Sequence, residues 1–483
     1  MEISSYSLYV GSGITILAIA INLITGLMAR HFNSAVYKLL SLSAGLLFLI
    51  ASTLYLIAIS ISPSFVGVSI ICLAQAINSF RGVKLKNDLV ITGQLIARET
   101  IGLLLLQALV GLLFFTTQAE LIFASLLFSL VMLTSTIYNL IKMHRKKQLD
   151  LSAELPTVSL LVPARNEDHV LDQALENLLM LKYPKLEIIV LDDCSHDRTP
   201  QIIKNYAHAG VRFVPGTMLP EGWTGKNHAL QTLLNESSGD YLLFCDVDIR
   251  MSADAVDDMI QIALVNNLTM ISVLPGRREF DFLANLVQPL IEFWYVAWPF
   301  KTAISGSCMM LKSKELNAIN GFSDYRQSVA PEFLIAKRLK SQNHKLLNGA
   351  GYLQVTTRKR FSSIIDTQVR VLYPLLASSL TFSFLVVILV LLLFVILPIY
   401  ALASLNMIYL FIVVIAVLTN LLITTIFNPK NWFLSIINLP FSAVFFIVVV
   451  IKSVVDYEFR SVEWKKREVC YPAIEVIPSL PKL

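Results

Sequence analysis

Charged residues are scarce in this sequence. Only 15% of its 483 residues are charged, 55% are hydrophobic, and the mean hydropathy is +0.66. Soluble domains carry about 25% charged residues, so this composition excludes an ordinary soluble protein and predicts a polytopic membrane protein. The net charge of +5 does not indicate a nucleic-acid partner, because the Lys and Arg residues lie mainly at the ends of apolar runs.

Paired cysteines are missing as well. The five Cys residues are scattered and include no Cys-x-x-Cys pair, which excludes a disulfide framework and a structural zinc site. The first residues also lack the positively charged region of a secretory signal. We therefore expect Tyr6–Ala29 to be a retained membrane span rather than a cleaved leader.

Long apolar runs precede a central segment of ordinary polarity. A transmembrane helix needs about 20 apolar residues. Five runs qualify as candidates: Tyr6–Ala29, Tyr37–Ser60, Ser64–Phe80, Ile101–Thr117 and Glu120–Ile141. With five spans and an external N-terminus, the basic groups near residues 30–38, 81–98 and 142–147 all fall on one face. The positive-inside rule makes that face cytoplasmic. The central segment is therefore predicted to lie in the cytosol, and the chain is predicted to be a multi-pass protein of the cell membrane.

A second set of apolar runs follows the central segment. Spans are predicted at Leu380–Leu402 and Met407–Phe427, and a third run, Phe433–Ile451, is interrupted by Pro440. Three full spans would place the basic tail outside, so we expect one run to be re-entrant or interfacial and the tail to be cytosolic. Phe361–Tyr373 carries its apolar residues near one face, which predicts an interfacial amphipathic helix.

These patterns divide the chain into five regions. The predicted regions are an N-terminal transmembrane bundle of about five spans (1–148), a cytosolic α/β domain (149–360), the interfacial amphipathic helix (361–376), a C-terminal transmembrane region of two to three spans (377–456) and a cytosolic tail (457–483).

Strand and helix patterns alternate within the central domain. Strands are predicted at Val158–Val162, Leu186–Leu191, Val211–Val214, Tyr241–Cys245 and Thr269–Leu274. Helices are predicted at 168–181, 199–209, 225–235 and 328–341. Such alternation predicts an α/β domain with a parallel sheet and crossover helices.

Two carboxylates follow the most apolar of these strands. Tyr241–Cys245 leads directly into Asp246-Val247-Asp248, and side chains alternate along a strand, so both carboxylates point the same way if the chain stays extended. Ligands of open α/β sheets bind at the carboxyl ends of strands. The pair therefore predicts a site for Mg²⁺ or Mn²⁺ shared with a substrate's phosphates. The alternative is an acidic strand end before a helix N-terminus.

Polar clusters follow two further strands, and together the clusters resemble a known family. Pro163–Glu167 follows the first strand and Asp192–Thr199 the second. With Gly222–Lys226 and Asp246–Asp248, these motifs resemble glycosyltransferase family 2, the inverting nucleotide-sugar transferases, over roughly 156–360. The resemblance implies a GT-A fold, a Rossmann-like nucleotide-diphospho-sugar transferase domain, here inserted between two α-helical transmembrane bundles.

A narrower resemblance concerns two more stretches. Pro220–Lys226 and the ending Val462–Arg467 are similar to the membrane-bound branch that includes hopene-associated and carotenoid glycosyltransferases. The activity implied is transfer of a hexose from a UDP-sugar to a hydroxyl of a lipid acceptor: a carotenoid, hopanoid or glycolipid. The implied partners are the UDP-sugar, the lipid acceptor and the bilayer, with no nucleic acid. The oligomeric state is left open.

The family resemblance also assigns residues to the nucleotide. Asp193, or its neighbour Asp192, would accept a hydrogen bond from the uracil or ribose of the donor. Pro163, Arg165 and Glu167 would line the nucleotide pocket.

The remaining assigned residues concern the diphosphate and the acceptor. Lys226 would meet the diphosphate or ribose, because a cation at a helix start is favourable only with an anionic partner. Asp246 would bind the nucleotide-sugar and, with Asp248, the divalent cation. The family's general base is usually an Asp at a helix start; the matching residue here is Glu332, and Asp324 is the second candidate.

Two other functions compete with this interpretation. Processive polysaccharide synthases of the same family carry Gln-x-x-Arg-Trp, whereas the nearest stretch here, Gln368–Leu372, lacks both the Arg spacing and the Trp. A non-enzymatic transporter or assembly protein would show internal repeats and polar spans, and the N-terminal runs show no obvious repeat.

Overall fold

The structure is a computed structural model, and everything below refers to the residues that it describes. These are residues 2–27, 34–57, 65–81, 96–104, 118–144, 155–277, 292–293, 295–297, 304–339, 344–350, 353–357, 361–376, 378–427, 432–433, 439–459, 462–464 and 467–470.

Apolar helices precede the central domain. They are α1 (Glu2–Leu27), α2 (Ser34–Ile57), α3 (Phe65–Phe80), α4 (96–104) and α5 (Gln118–His144). Helices thus lie at four of the five predicted spans. The remaining one, Ile101–Thr117, is described only up to residue 104, and its other residues lie outside the described part.

A seven-stranded sheet forms the middle of the central domain. Its strands are β1 (Val158–Ala164), β2 (Leu186–Asp192), β3 (Val211–Pro215), β4 (Tyr241–Cys245), β6 (Met270–Leu274), β8 (Cys308–Lys312) and β9 (His344–Asn348). Their order across the sheet is β3-β2-β1-β4-β8-β6-β9. Short strands β5 (Ile249–Arg250), β7 (Gly276–Arg277) and β10 (Thr356–Thr357) form a second sheet, and β11 (Val462–Trp464) pairs with β12 (Arg467–Cys470).

The predicted parallel pairing is present, and one further strand, β8, is antiparallel. β1 pairs with β2 and β4 in parallel, as predicted, and β6 pairs with β9 in parallel. β8 runs antiparallel to both β4 and β6, because it begins beside the end of β6 and returns in the opposite direction. The sheet is therefore mixed, with its parallel half carrying the loops predicted to bind ligands.

Helices cover both faces of this sheet. They are α6 (Asp168–Leu179), α7 (Thr199–Asn205), α8 (Gly225–Glu236), α9 (Ala255–Val265), α10 (Ser313–Ala318) and α11 (Pro331–Arg338). α6 buries Leu171, Ala174, Leu175 and Leu178, the spacing of one helix face, against the strands. Each large apolar side chain buried in this way contributes roughly 2 kcal/mol to stability.

Further apolar helices follow the central domain. They are α12 (Phe361–Leu375), α13 (Leu380–Ser404), α14 (Met407–Phe427) and α15 (Leu439–Phe459). Residues 434–438 of the run Phe433–Ile451, which Pro440 was expected to interrupt, lie outside the described part of the chain. Pro440 lies in the first turn of a continuous 21-residue helix, where the missing N–H costs no helical hydrogen bond.

Four helices are long and apolar enough to cross a membrane by length and composition. They comprise Ala35–Ile57 in α2 and all of α13, α14 and α15. Val10–Gly26, Val68–Phe80 and Ser125–Ile141 are shorter apolar helices. Apolar helices of the membrane-spanning type therefore flank the central domain on both sides in sequence.

A buried polar cluster joins the N-terminal helices to the C-terminal ones. Arg81, directly after α3, donates to Glu458 near the end of α15, with Nε 3.0 Å from Oε2, and also to the hydroxyl of Tyr373 in α12. Glu99 of α4 accepts from the hydroxyls of Ser379 and Thr381 at 3.0 and 3.2 Å, where α13 begins. Arg81 and Glu458 are both buried, and their ion pair connects the end of α3 to the end of α15.

Candidate active site

Hydrogen bonds tie together the loops that follow β1 and β2. The backbone N–H of Asn166 donates to Ser195 Oγ at 2.9 Å, and its side-chain oxygen accepts from the N–H of His196 at 2.9 Å. Asn166 adopts φ of 51°, a conformation that Asn tolerates better than most residues. The two predicted motifs therefore form one surface at the carboxyl edge of the sheet.

Asp192, the last residue of β2, and Asp193, the next residue, are both buried in this surface. The guanidinium of Arg165 donates to the backbone oxygen of Asp193 and, at 3.1 Å, to that of Cys194, and it lies 3.9 Å from the Asp193 carboxylate. Asp192 accepts from the N–H of Ser195 at 3.3 Å. Arg165 thus holds the loop that presents Asp193.

The other two residues of the first motif have different surroundings. Pro163 lies within β1, opposite Leu191 of β2, so the strand extends further than predicted. Glu167 precedes α6, and its N–H donates to Thr199 Oγ1 at 2.8 Å.

The helix start carrying Lys226 lies where the sequence placed it. Thr224 caps α8 by accepting from the N–H of Asn227 at 3.4 Å. The Asn227 side chain donates to the carbonyls of Tyr325 and Ser328 at 2.8 Å, which ties this helix start to the segment before α11. Lys226 Nζ lies 2.8 Å from Asp246 Oδ1. The anionic partner expected for this lysine is therefore supplied, within the chain, by the first carboxylate after β4.

The chain turns at Asp246–Asp248 rather than staying extended. The N–H of Ile249 donates to the carbonyl of Asp246 at 3.1 Å, which closes a turn immediately after β4. Because the chain is not extended at Asp246–Asp248, strand alternation does not place the two carboxylates on the same side. Both side chains are nevertheless half-buried on either side of the buried Val247.

A cleft of about 840 Å³, counting its solvent-open part, lies beside this turn. Lys226, Asp246 and Glu332 line it, so the structure brings together three predicted site residues from separate segments. The other predicted residues lie outside its lining: Pro163, Arg165, Glu167, Asp192, Asp193, Asp248 and Asp324. Asp324 is exposed in the short 3₁₀ turn Ser323–Tyr325, so the structure does not bring the second base candidate to the cleft.

Glu332 is half-buried and lies against Gly306. A Cβ added at Gly306 would lie only 2.8 Å from the Glu332 carboxyl, so the Glu332 side chain would have to shift. Burial raises the pKa of the Glu332 carboxyl, and the positive charge of Lys226 opposes that rise. The pKa of Tyr295, which also lines the cleft, is raised by burial and by the Glu332 charge. A carboxyl group with a raised pKa at the wall of a cleft is the arrangement expected of a general base.

Sequence reasoning missed one cationic residue of the cleft. Thr367, Gln368, Arg370 and Val371 of α12 form one wall. The charges of Asp246 and Glu332 act on the Arg370 guanidinium. Gln368–Leu372 lacks the Gln-x-x-Arg-Trp spacing of the synthases and so carries no motif that points to Arg370. The polar face of an otherwise apolar helix is the sequence signal that could have found it. The amphipathic pattern of α12 thus reflects a cleft on one side and α15 on the other.

The carboxylates fit a divalent cation of the Mg²⁺ or Mn²⁺ type. Among the described residues, no three His, Cys, Asp or Glu side chains form a metal-sized group. Such cations, however, commonly take one or two carboxylates and complete their shell with water and substrate phosphates. Asp246 already accepts a cationic group in the cleft, since Lys226 contacts its Oδ1. Asp246 and Asp248 thus have the oxygen donors that such a cation prefers.

Comparison of this mixed-sheet α/β domain with known proteins matches part of it to one family. Residues 159–303 match the family model "Glycosyl transferase family 2". The chain thus carries a glycosyltransferase family 2 domain, as the motifs predicted.

Several curated proteins resemble part of the chain. A probable glycosyltransferase of Bacillus subtilis is 32% identical over 35% of this chain and 44% of its own length. A beta-monoglucosyldiacylglycerol synthase of Trichormus variabilis is 31% identical over 34% of this chain and 36% of its own. A 4,4'-diaponeurosporenoate glycosyltransferase of Staphylococcus aureus is 28% identical over 27% and 35%. The chain therefore matches less than half the length of each relative.

Solved structures also align with parts of the chain. A mannosyltransferase of Pyrobaculum calidifontis in complex with GDP-Man and Mn²⁺ aligns with 18% identity and a TM-score of 0.43. That alignment covers 69% of this chain and 95% of the other.

Proposed function

We propose that this chain is a membrane-bound inverting glycosyltransferase that moves a hexose from a UDP-sugar to a hydroxyl group of a lipid. The cleft carries the proposal. There a half-buried carboxylate, Glu332, lines the same cleft as two cations, Lys226 and Arg370, and as Asp246. The central domain, 149–360, would face the cytosol between the bundles 1–148 and 377–456.

The residues of the cleft divide into two chemical roles. The Glu332 carboxylate would take the proton of the acceptor hydroxyl as that oxygen bonds to the anomeric carbon. The bond from this carbon to the β-phosphate oxygen breaks, and its electron pair leaves on UDP. Lys226 and Arg370 would neutralise the charge that develops on the diphosphate. A divalent cation held by Asp246 and Asp248 would add further charge neutralisation at the diphosphate.

The edge formed by β1 and β2 suits the nucleoside. Asp193, presented by the buried Arg165, or Asp192 would accept from the uracil or ribose. Pro163 and Glu167 flank this edge. The nucleoside would lie there, with its diphosphate extending toward Lys226.

A lipid acceptor is supported by the surroundings of the cleft. Val329 and Val371 line it, and Val329 also packs against an apolar cluster of Tyr373, Leu380, Val454, Tyr457 and Val462. These residues belong to α12, the apolar helices α13 and α15, and β11. Two of the relatives described above are named for glycosylation of lipid molecules, a diacylglycerol and a carotenoid acid.

The full-length protein in lipid nanodiscs tests the proposal. With Mn²⁺, radiolabelled UDP-glucose and the lipids of the source cell, we expect label to move into an organic-soluble product of defined mobility. Lipid analysis of a deletion strain should show the matching glycolipid missing. Water-soluble product of increasing length would instead indicate a processive synthase. Absence of transfer from all UDP-hexoses would contradict the proposal.

Removing the Arg370 charge should weaken use of the donor. We expect Arg370→Gln to lower kcat/KM for UDP-glucose by about 30-fold, since a hydrogen bond to a charged group is worth about 2 kcal/mol. Arg370→Lys should retain part of the activity, because it keeps the charge without the planar fork. The matched control is Arg212→Gln, which removes an exposed arginine paired with Glu236. Equal activity of Arg370→Gln and Arg212→Gln would remove Arg370 from the site.

A further inference from the structure

Helix α12 contains a proline in its last turn, one turn after Arg370. Pro374 has no N–H, so the carbonyl of Arg370 lacks the hydrogen-bond donor that a regular helix would supply. The proline ring also crowds that carbonyl. The turn that carries Arg370 is thus weakened in its backbone at the wall of the cleft.

Two hydroxyls of α15 repair this turn. The Tyr457 hydroxyl donates to the Arg370 carbonyl at 2.6 Å and takes the place of the missing N–H. In a regular helix the carbonyl of Val369 would accept from the N–H of Tyr373. The Ser453 hydroxyl contacts both groups: it donates to the carbonyl of Val369 and accepts from the N–H of Tyr373 at 3.1 Å. Ser453 is fully buried and Tyr457 is 8% exposed.

The register of α15 against α12 is itself fixed nearby. Glu458 follows Tyr457 and is held by Arg81 from the end of α3. Tyr373 donates to the same Glu458, and its ring lies 5.7 Å from that of Tyr457. The repairing hydroxyls therefore sit on a helix whose position the N-terminal bundle secures.

We propose that Ser453 and Tyr457 are positioning residues for Arg370: by completing the backbone of α12 at Pro374, they hold the Arg370 guanidinium at the donor's diphosphate. This inference rests on the proposed function. It gives the last apolar helix a part in the reaction beyond anchoring, although none of its residues lines the cleft among those the structure describes.

Steady-state kinetics of the full-length protein with UDP-glucose, and calorimetric binding of UDP, test the proposal. We expect Tyr457→Phe, which removes only the hydroxyl, to lower kcat/KM and weaken UDP binding about tenfold, because the Arg370 carbonyl loses the donor that Tyr457 supplies. The matched control is Tyr183→Phe, which removes a hydroxyl bonded to the carbonyl of Pro156 at 2.7 Å, far along the chain from the cleft residues. It should change neither value more than twofold.

Two double variants separate positioning from general damage. Pro374→Ala restores an N–H for the Arg370 carbonyl, so Tyr457→Phe should cost less than threefold in that background. In the Arg370→Gln background, Tyr457→Phe should have no further effect on UDP binding. An equal tenfold loss in the Arg370→Gln background, or no loss in the single variant, would overturn the proposal. If the wild type binds no UDP, the proposed function fails instead.

Discussion

Replacing Glu332 with Gln should lower the rate of sugar transfer by about 10³-fold, the usual contribution of a general base. Gln has nearly the same shape and fills the space beside Gly306, but it cannot accept the acceptor's proton. UDP binding should change less than threefold, because the proposed nucleotide contacts lie on other residues. Initial rates with UDP-glucose, together with calorimetry of UDP, check both expectations.

The pH dependence gives an independent measure of the same residue. Glu332 acts only as a carboxylate, and burial raises its pKa in the folded protein. As the pH falls through that raised pKa, the base becomes protonated. On lowering the pH, kcat/KM should therefore begin to fall at a higher pH than it would with a solvent-exposed Glu. Glu332→Asp should retain some activity, with the reacting carboxylate one methylene further back.

Matched acids decide whether Glu332 is the base. Glu236→Gln removes an exposed glutamate of the same domain and should leave the rate unchanged. Asp324→Asn tests the second candidate, which is exposed and lies outside the lining of the cleft. If Asp324→Asn lost activity and Glu332→Gln kept it, the base would have to be reassigned and the cleft would not be the acceptor site.

The parallel half of the sheet could be predicted from sequence because its signals are local. The run Tyr241–Cys245 is buried along its whole length and matches β4 residue for residue. Thr224 before Gly225 is an N-cap signal, and α8 begins there. β1 and β2 end one or two residues later than predicted, since Pro163 and Asp192 continue the pairing.

The remaining features depend on contacts between distant segments. Nothing around Cys308–Lys312 distinguishes an antiparallel strand inserted between β4 and β6 from any other apolar run. The proximity of Gly306 to Glu332 joins two segments whose spacing in sequence carries no motif. Arg370 reaches the cleft only because α12 packs against α15, a tertiary contact that periodicity does not reveal.

Asp248→Asn should reduce transfer by about 10³-fold, comparable to the loss of a major electrostatic group in an active site. Asp248 is half-buried and follows Asp246, which lines the cleft, by two residues. We expect its carboxylate to bind the divalent cation together with that of Asp246. Asn keeps the size and one oxygen but removes the charge that a hard divalent cation requires.

The metal role can be measured without turnover. Mn²⁺ binding in the presence of UDP, followed by electron paramagnetic resonance, should weaken at least tenfold in Asp248→Asn, because one of about two protein carboxylates is lost. The matched control is Asp240→Asn, since Asp240 lies just before β4 and accepts from Thr157 away from the cleft.

Asp246 should behave differently from its neighbour. It also accepts from Lys226 at 2.8 Å, so Asp246→Asn removes the partner of a cation as well as a metal ligand. We therefore expect Asp246→Asn to perturb UDP binding even without metal, whereas Asp248→Asn should perturb it only when Mn²⁺ is present. Wild-type turnover in excess chelator, or an Asp248→Asn protein with unchanged Mn²⁺ affinity, would show that Lys226 and Arg370 alone neutralise the leaving diphosphate.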